Sequence, residues 1–154
     1  SIHSSVYHFC LFKKTMMIEK YLLENANYNI SLTDYKIYCF HGQPKYIFVF
    51  SDRIANTHEY SKMIYDRNWL PHPEHINKGL PISEILPKPK SFDKMLEIVE
   101  KLSEPFPFVR VDFYEIDNKP VFGKMTFTPG HNEAGNPAFL KIMGDLVDIS
   151  NIKS

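Results

Sequence analysis

Residues 109–130 read VRVDFYEIDNKPVFGKMTFTPG, and four of them carry side chains that could do chemistry together: Arg110, Asp112, Lys124 and Thr126. In a strand, residues two apart share a face. Arg110, Asp112 and Tyr114 therefore point one way, and Val109, Val111 and Phe113 point the other, into a core. Beyond the polar corner at 115–119, a second strand places Phe122, Lys124, Thr126 and Thr128 on a common face. Two chemistries suit this pattern. Asp112 and Lys124 can form a cross-strand ion pair, of small worth if exposed. Alternatively, the charged face is a ligand site.

The elements that must position these residues are legible in part. Residues 34–40, DYKIYCF, and the run KYIFVFSD flank a glycine-containing turn and read as a β-hairpin. The stretch 109–128 reads as a second hairpin. Ser91 is a good N-cap, with Asp93 in the first turn. Phe92, Met95, Leu96, Val99 and Leu102 then form one apolar stripe, which predicts a helix over 91–103. Pro105 and Pro107 stop it. After Pro137, the residues Phe139, Leu140, Met143, Leu146 and Val147 predict a last helix. Residues 6–12 and 15–23 are strand candidates. The stretch 56–90 holds five of the eleven prolines, so regular structure should be sparse there. Within it, 58–70 reads as a strand or an irregular crossing, with Tyr65 and Trp69 facing inward. The expected fold is α+β: one domain over 1–154, an antiparallel sheet with packed helices.

Composition narrows the function. The 154 residues carry zero formal net charge, which gives no electrostatic case for nucleic acid or an anionic membrane. The apolar run at 6–12 is broken by His8 and is too short to span a bilayer. Cys10 and Cys39 have neither CxxC spacing nor a disulfide framework, so a reducing, cytoplasmic setting is expected. Cys39 lies within a strand and reads as a packed thiol rather than a nucleophile. The segment His72-Pro73-Glu74-His75 has liganding side chains, but prolines break the helix that HExxH chemistry needs, so a metal site is not expected there.

Taken together, RVDFY, a turn and FGKMTFTPG resemble the C-terminal hairpin of ATP-grasp ligases, and most closely the TupA-like ATP-grasp family, associated with bacterial polysaccharide genes. DYKIYCFHGQPKYI resembles that family's DYK hairpin. PKPKSFDKMLEIVEKLSEPFPFVRVDFY resembles its helix-into-strand segment. The resemblance covers most of residues 15–130. It implies the C-terminal lobe of an ATP-grasp fold, which uses ATP and Mg²⁺ to phosphorylate a carboxylate before a nucleophile attacks the acyl phosphate. By the same resemblance Asp112 is the first metal acid. Arg110 stabilises phosphate or the tetrahedral intermediate. IEKYL resembles the interlobe hinge, so Glu19, Lys20 and Leu22 would meet the adenine edge, although an amphipathic strand end explains those residues equally simply. Lys36 either faces the nucleotide or is a solvated strand lysine.

One departure from the family pattern matters most. Where the family supplies a second metal acid, this chain has Lys124, and Thr126 stands where related ligases often use an asparagine. A lysine has donors only and cannot coordinate a cation. Three readings follow: Lys124 neutralises phosphate in place of the metal, Glu133 swings in as a substitute ligand, or catalysis is lost. Strand periodicity and pairing across the corner place Lys124 on the Arg110–Asp112 face, with its ammonium expected beside the Asp112 carboxylate. The chain opens on Ser1, has only fourteen residues before Thr15, and has no glycine before Gly42. That is expected of a piece lacking the N-terminal lobe and phosphate loop, which a partner chain would supply. Two function classes remain: half of an ATP-dependent ligase, or a non-catalytic module that binds nucleotide or docks on a partner.

Overall fold

The computed structural model describes residues 33–51, 60–129, 134–147 and 150. The strand candidates at 6–12 and 15–23 lie outside these residues, as do Glu19, Lys20, Leu22 and Glu133. The described elements are β1 (Asp34–Phe40), β2 (Gln43–Ser51), β3 (Ser61–Asp66), a 3-10 turn (Pro73–His75), α1 (Phe92–Ser103), β4 (Phe108–Ile116), β5 (Lys119–Thr126) and α2 (Pro137–Asp145). The strands form one sheet in the order β3-β2-β1-β4-β5, and every pairing is antiparallel. The fold is α+β, as expected.

Both hairpins close on two residues with positive φ: His41 and Gly42 in the first, Asp117 and Asn118 in the second. Such turns match the right-handed twist of the flanking strands. Asp and Asn tolerate the left-handed region because their short polar side chains bond locally. At Gly42 (φ +76°) space is also short, since a Cβ there would lie 3.2 Å from Glu104 Cα. The corner expected over 115–119 is therefore tighter than its composition suggests, and β4 runs on to Ile116.

The sheet has two unlike faces. One carries Tyr35, Ile37 and Cys39 of β1 beside Phe113, Val111 and Val109 of β4. Helix α1 packs here through Phe92, Met95 and Val99, all buried. Each such side chain contributes about 1.5–3 kcal/mol by leaving water, so this face is the main core. Trp69 caps its edge, stacked 4.1 Å from Tyr65 and edge-on to Phe92 at 4.9 Å. Of the 58–70 stretch, residues 61–66 form strand β3, with Tyr65 and Trp69 inward as expected, and residues 58 and 59 lie outside the described residues. Ser91 holds the N-cap position of α1 without capping it; its backbone N–H and hydroxyl both donate to Glu115 Oε2, at 2.7 and 2.5 Å. The charge-assisted bond to the Glu115 carboxylate holds the Ser91 hydroxyl as a donor toward β4, and its oxygen does not accept from the helix N–H groups that a cap would serve. Asn136 caps α2, accepting from Phe139 N at 2.9 Å. That helix ends at Asp145, before Leu146 and Val147.

Gly42→Ala should lower stability by about 1–2 kcal/mol, because an L side chain at this φ is strained and Glu104 must give way. Equilibrium urea denaturation measures it, and an unchanged midpoint would show that the turn tolerates a Cβ.

Candidate functional site

The second face carries charge. Strand register aligns Lys36 of β1, Asp112 of β4 and Lys124 of β5 across three adjacent strands. One step along, Tyr38, Arg110 and Thr126 are aligned in the same way. Antiparallel partners share a face, so Arg110, Asp112, Lys124 and Thr126 lie together as expected, and Lys36 joins them rather than facing open water. Phe122 does not, because the irregularity after Asp112 pairs it with Phe113 on the other face, and Thr128 lies beyond the end of β5.

Asp112 is the centre. It is 2% exposed, although it carries a carboxylate. Arg110 grips it with both arms: Nε donates to Oδ1 at 2.7 Å, and Nη2 donates to Oδ2 at 2.9 Å. A forked pair of charge-assisted bonds offsets much of the cost of taking the carboxylate out of water. Lys36 Nζ approaches Oδ2 to 3.6 Å from the other side. Arg110 Nη2 also donates to Thr126 Oγ1 at 3.2 Å. Burial pulls the Arg110 pKa down, but the Asp112 bonds and charge outweigh it and hold the value above the ordinary one.

Asp34 is the residue that sequence reasoning missed. It sits two positions before Lys36, so it lies on the same face, as Arg110 does relative to Asp112. That repeated acid–base spacing was the available signal. Lys36 Nζ donates to Asp34 Oδ2 at 2.5 Å and lies 5.2 Å from the Phe50 ring centroid. The other oxygen, Asp34 Oδ1, is buried with no hydrogen-bond partner among the described residues. Burial raises the Asp34 pKa, against the lowering effect of Lys36.

Lys124 departs from expectation. Its backbone pairs with Asp112, but its side chain is exposed, and no ion pair of it is found among the described residues. The reason is saturation: both Asp112 oxygens are already held by Arg110, with Lys36 behind. Gly123 forms a bulge here that brings β5 hard against β4; a Cβ on it would lie 3.0 Å from the Asp112 carbonyl oxygen. The expected Asp112–Lys124 ion pair is thus replaced by Asp112–Arg110 and Asp112–Lys36. Cys39 is fully buried, and burial pushes its thiol up to about 12, so it is a packed residue as expected.

A divalent cation such as Mg²⁺ takes about six oxygen ligands in near-ideal octahedral geometry. Both Asp112 oxygens already accept from Arg110. The strip otherwise offers Asp34 Oδ1 and the Thr126 hydroxyl. Lys36, Arg110 and Lys124 stand against Asp34 and Asp112, one positive charge in excess. These residues do not fit a metal, and the strip they form carries net positive charge.

An α+β lobe with an antiparallel sheet and charged groups gathered on one face is compatible with the ATP-grasp class. The family model for TupA-like ATPgrasp matches residues 2–148, and the chain belongs to that family. Comparison with curated proteins and with solved structures yields no significant match. No helix among the described residues is long and apolar enough to cross a membrane.

Removing Asp112 should be costly, because Arg110 would keep its charge without its counter-charge and Lys36 would be left with Asp34 alone. Asp112→Ala is expected to lose about 3 kcal/mol. Lys124→Ala should stay within about 0.5 kcal/mol, as exposed unpaired residues do. Parallel urea titrations separate the two, and a costly Lys124→Ala would reveal an ion pair at that position.

Proposed function

We propose that this chain is an ATP-grasp-related domain that receives the phosphates of a nucleotide on the Lys36–Arg110–Lys124 strip and, by itself, ligates carboxylates weakly or not at all. The observation that carries this reading is the excess of cation over carboxylate at the position where the family resemblance puts two metal acids. Lys124 is exposed and unspent on Asp112, so its ammonium can meet a phosphate as a point charge. Lys36 and Arg110 are held in place by Asp34 and Asp112 and contribute positive field rather than mobile contacts. In this reading the site takes polyphosphate directly and does not recruit Mg²⁺ through its own acids. The setting we infer is bacterial cell-surface polysaccharide biosynthesis, in the cytoplasm, with a second lobe from a partner chain closing over the charged face.

A second reading is an active ligase completed by that lobe. The intact Arg110–Asp112 fork favours it, since a wholly abandoned site has no need of a buried charge pair.

Calorimetric titration of ATP with and without Mg²⁺ distinguishes the readings. The expected outcome is binding that is insensitive to Mg²⁺ and weakened by Lys124→Ala, with ADP release undetectable in a coupled assay. Magnesium-dependent turnover abolished by Asp112→Asn would overturn the proposal. Lys124→Glu should leave metal-free stability within about 0.5 kcal/mol. It should also add a Mg²⁺-dependent thermal shift that the parent lacks. If the parent already shows that shift, Lys124 does not stand at a vacated metal position.

A further inference from the structure

The loop between β3 and α1 contains a second group of liganding side chains, well separated in sequence from the charged strip. The proline at 73 does break an α-helix, but it starts a 3-10 turn instead, and that turn gathers His72, Glu74 and His75. One ligand atom from each lies within 4.8 Å of the others. His72 Nδ1 is 2.9 Å from Glu74 Oε1, and His75 Nε2 is 3.9 Å from the same oxygen. Ligands of a tetrahedral zinc ion sit about 3.3 Å apart, given bonds of about 2.0–2.1 Å. The observed separations bracket that value, and the exposed Glu74 side chain is free to adjust.

The two imidazoles are already oriented. His75 stacks on Phe139 of α2 at 4.3 Å with an interplanar angle of 13°, and His72 stacks on His75 at 5.3 Å and 16°. The turn beneath them is fixed by Asn136, whose Nδ2 donates to Glu74 O and whose backbone N–H donates to His75 O, each at 2.8 Å. His72 N donates to Ile64 O of β3 at 2.7 Å. On the far side of the His72 ring, Asp66 Oδ2 lies 3.7 Å from Nε2. Asp66 Oδ1 accepts from the backbone of Asn68 and Leu70, at 2.8 and 2.9 Å, so this carboxylate is fixed as well. A carboxylate behind a ligating histidine fixes its tautomer and orientation.

We propose that His72, Glu74 and His75 form a binding site for a divalent transition metal, of which Zn²⁺ is the best fit, with Asp66 as a positioning residue. Two imidazole nitrogens and a carboxylate oxygen are the borderline ligands zinc prefers. A fourth position stays open to water or to a group from a ligand or partner. The site is independent of the nucleotide-phosphate reading, because it shares no residue with the strip.

The test is calorimetric titration of ZnCl₂ into the untagged, EDTA-stripped full chain, with Co²⁺ absorption as a second readout of coordination. The expected result is one equivalent bound, with visible cobalt bands. Binding should be lost in the His72→Gln/Glu74→Gln double variant, whose side chains are partly or largely exposed and can change without unfolding the core. Asp66→Asn should weaken zinc binding about tenfold or more. No binding by the parent would overturn the proposal. So would a folded double variant that binds as tightly as the parent, because other histidines would then hold the metal.

Discussion

A carboxylate taken almost wholly out of water must be met by cations, and Asp112 is met from two sides. Arg110, on its own strand, closes both oxygens in a fork; Lys36, on the neighbouring strand, stands behind one of them. This constraint ties the strand register to the site. Slipping β1 against β4 by one residue would turn Lys36 away and leave a buried charge short of a partner. The same slip would drive Ile37 and Cys39 out of the core on the other face. Electrostatics and hydrophobic burial therefore select the same alignment, which is why one sheet can hold a charged strip and a dry core back to back.

The dry face also explains where the helices go. Helix α1 has a single apolar stripe and takes the Val109–Val111–Phe113 side, where nothing polar needs water. Helix α2 meets the opposite face only beyond the charged strip, where β2 offers aromatic rings: Phe139 packs on Tyr46 and Phe48. Phe139 then stacks on His75, so the end of the second face is closed by aromatic contacts rather than by ion pairs. Two chemically distinct neighbourhoods result on one face, a cationic strip across β1, β4 and β5 and an imidazole–carboxylate cluster at the edge of α2.

Membership of the TupA-like ATP-grasp family gives the strip its context, and residue 124 sets its sign. A glutamate there would leave the strip with net negative charge and free oxygens; lysine leaves it positive, with Asp112 already occupied. Coulomb interactions among Lys36, Arg110 and Asp112 are weakly screened because these side chains are largely buried, whereas the exposed Lys124 is open to screening by salt. One side chain on β5 thus decides the sign of the strip's net charge, without altering the fold that presents it.

Local pattern was enough for much of this molecule. Period-two alternation placed both hairpins and put Arg110 and Asp112 on one face, and period-3.6 spacing placed α1, because both signals are carried by neighbours in sequence. The same alternation held Val109, Val111 and Phe113 in the core. What the sequence by itself did not determine was which charges meet. Asp112 was read against Lys124, its cross-strand partner, whereas its second cation comes from β1, far away in the chain and adjacent only because β1 lies between β2 and β4. The role of Asp34, the diversion of Ser91 from its helix to Glu115, and the closure of His72 and His75 around a proline-initiated turn are of the same kind. Each depends on strand order and on competition for a side chain among groups distant in sequence. Periodicity determines which way a residue points; only tertiary structure decides what it finds there.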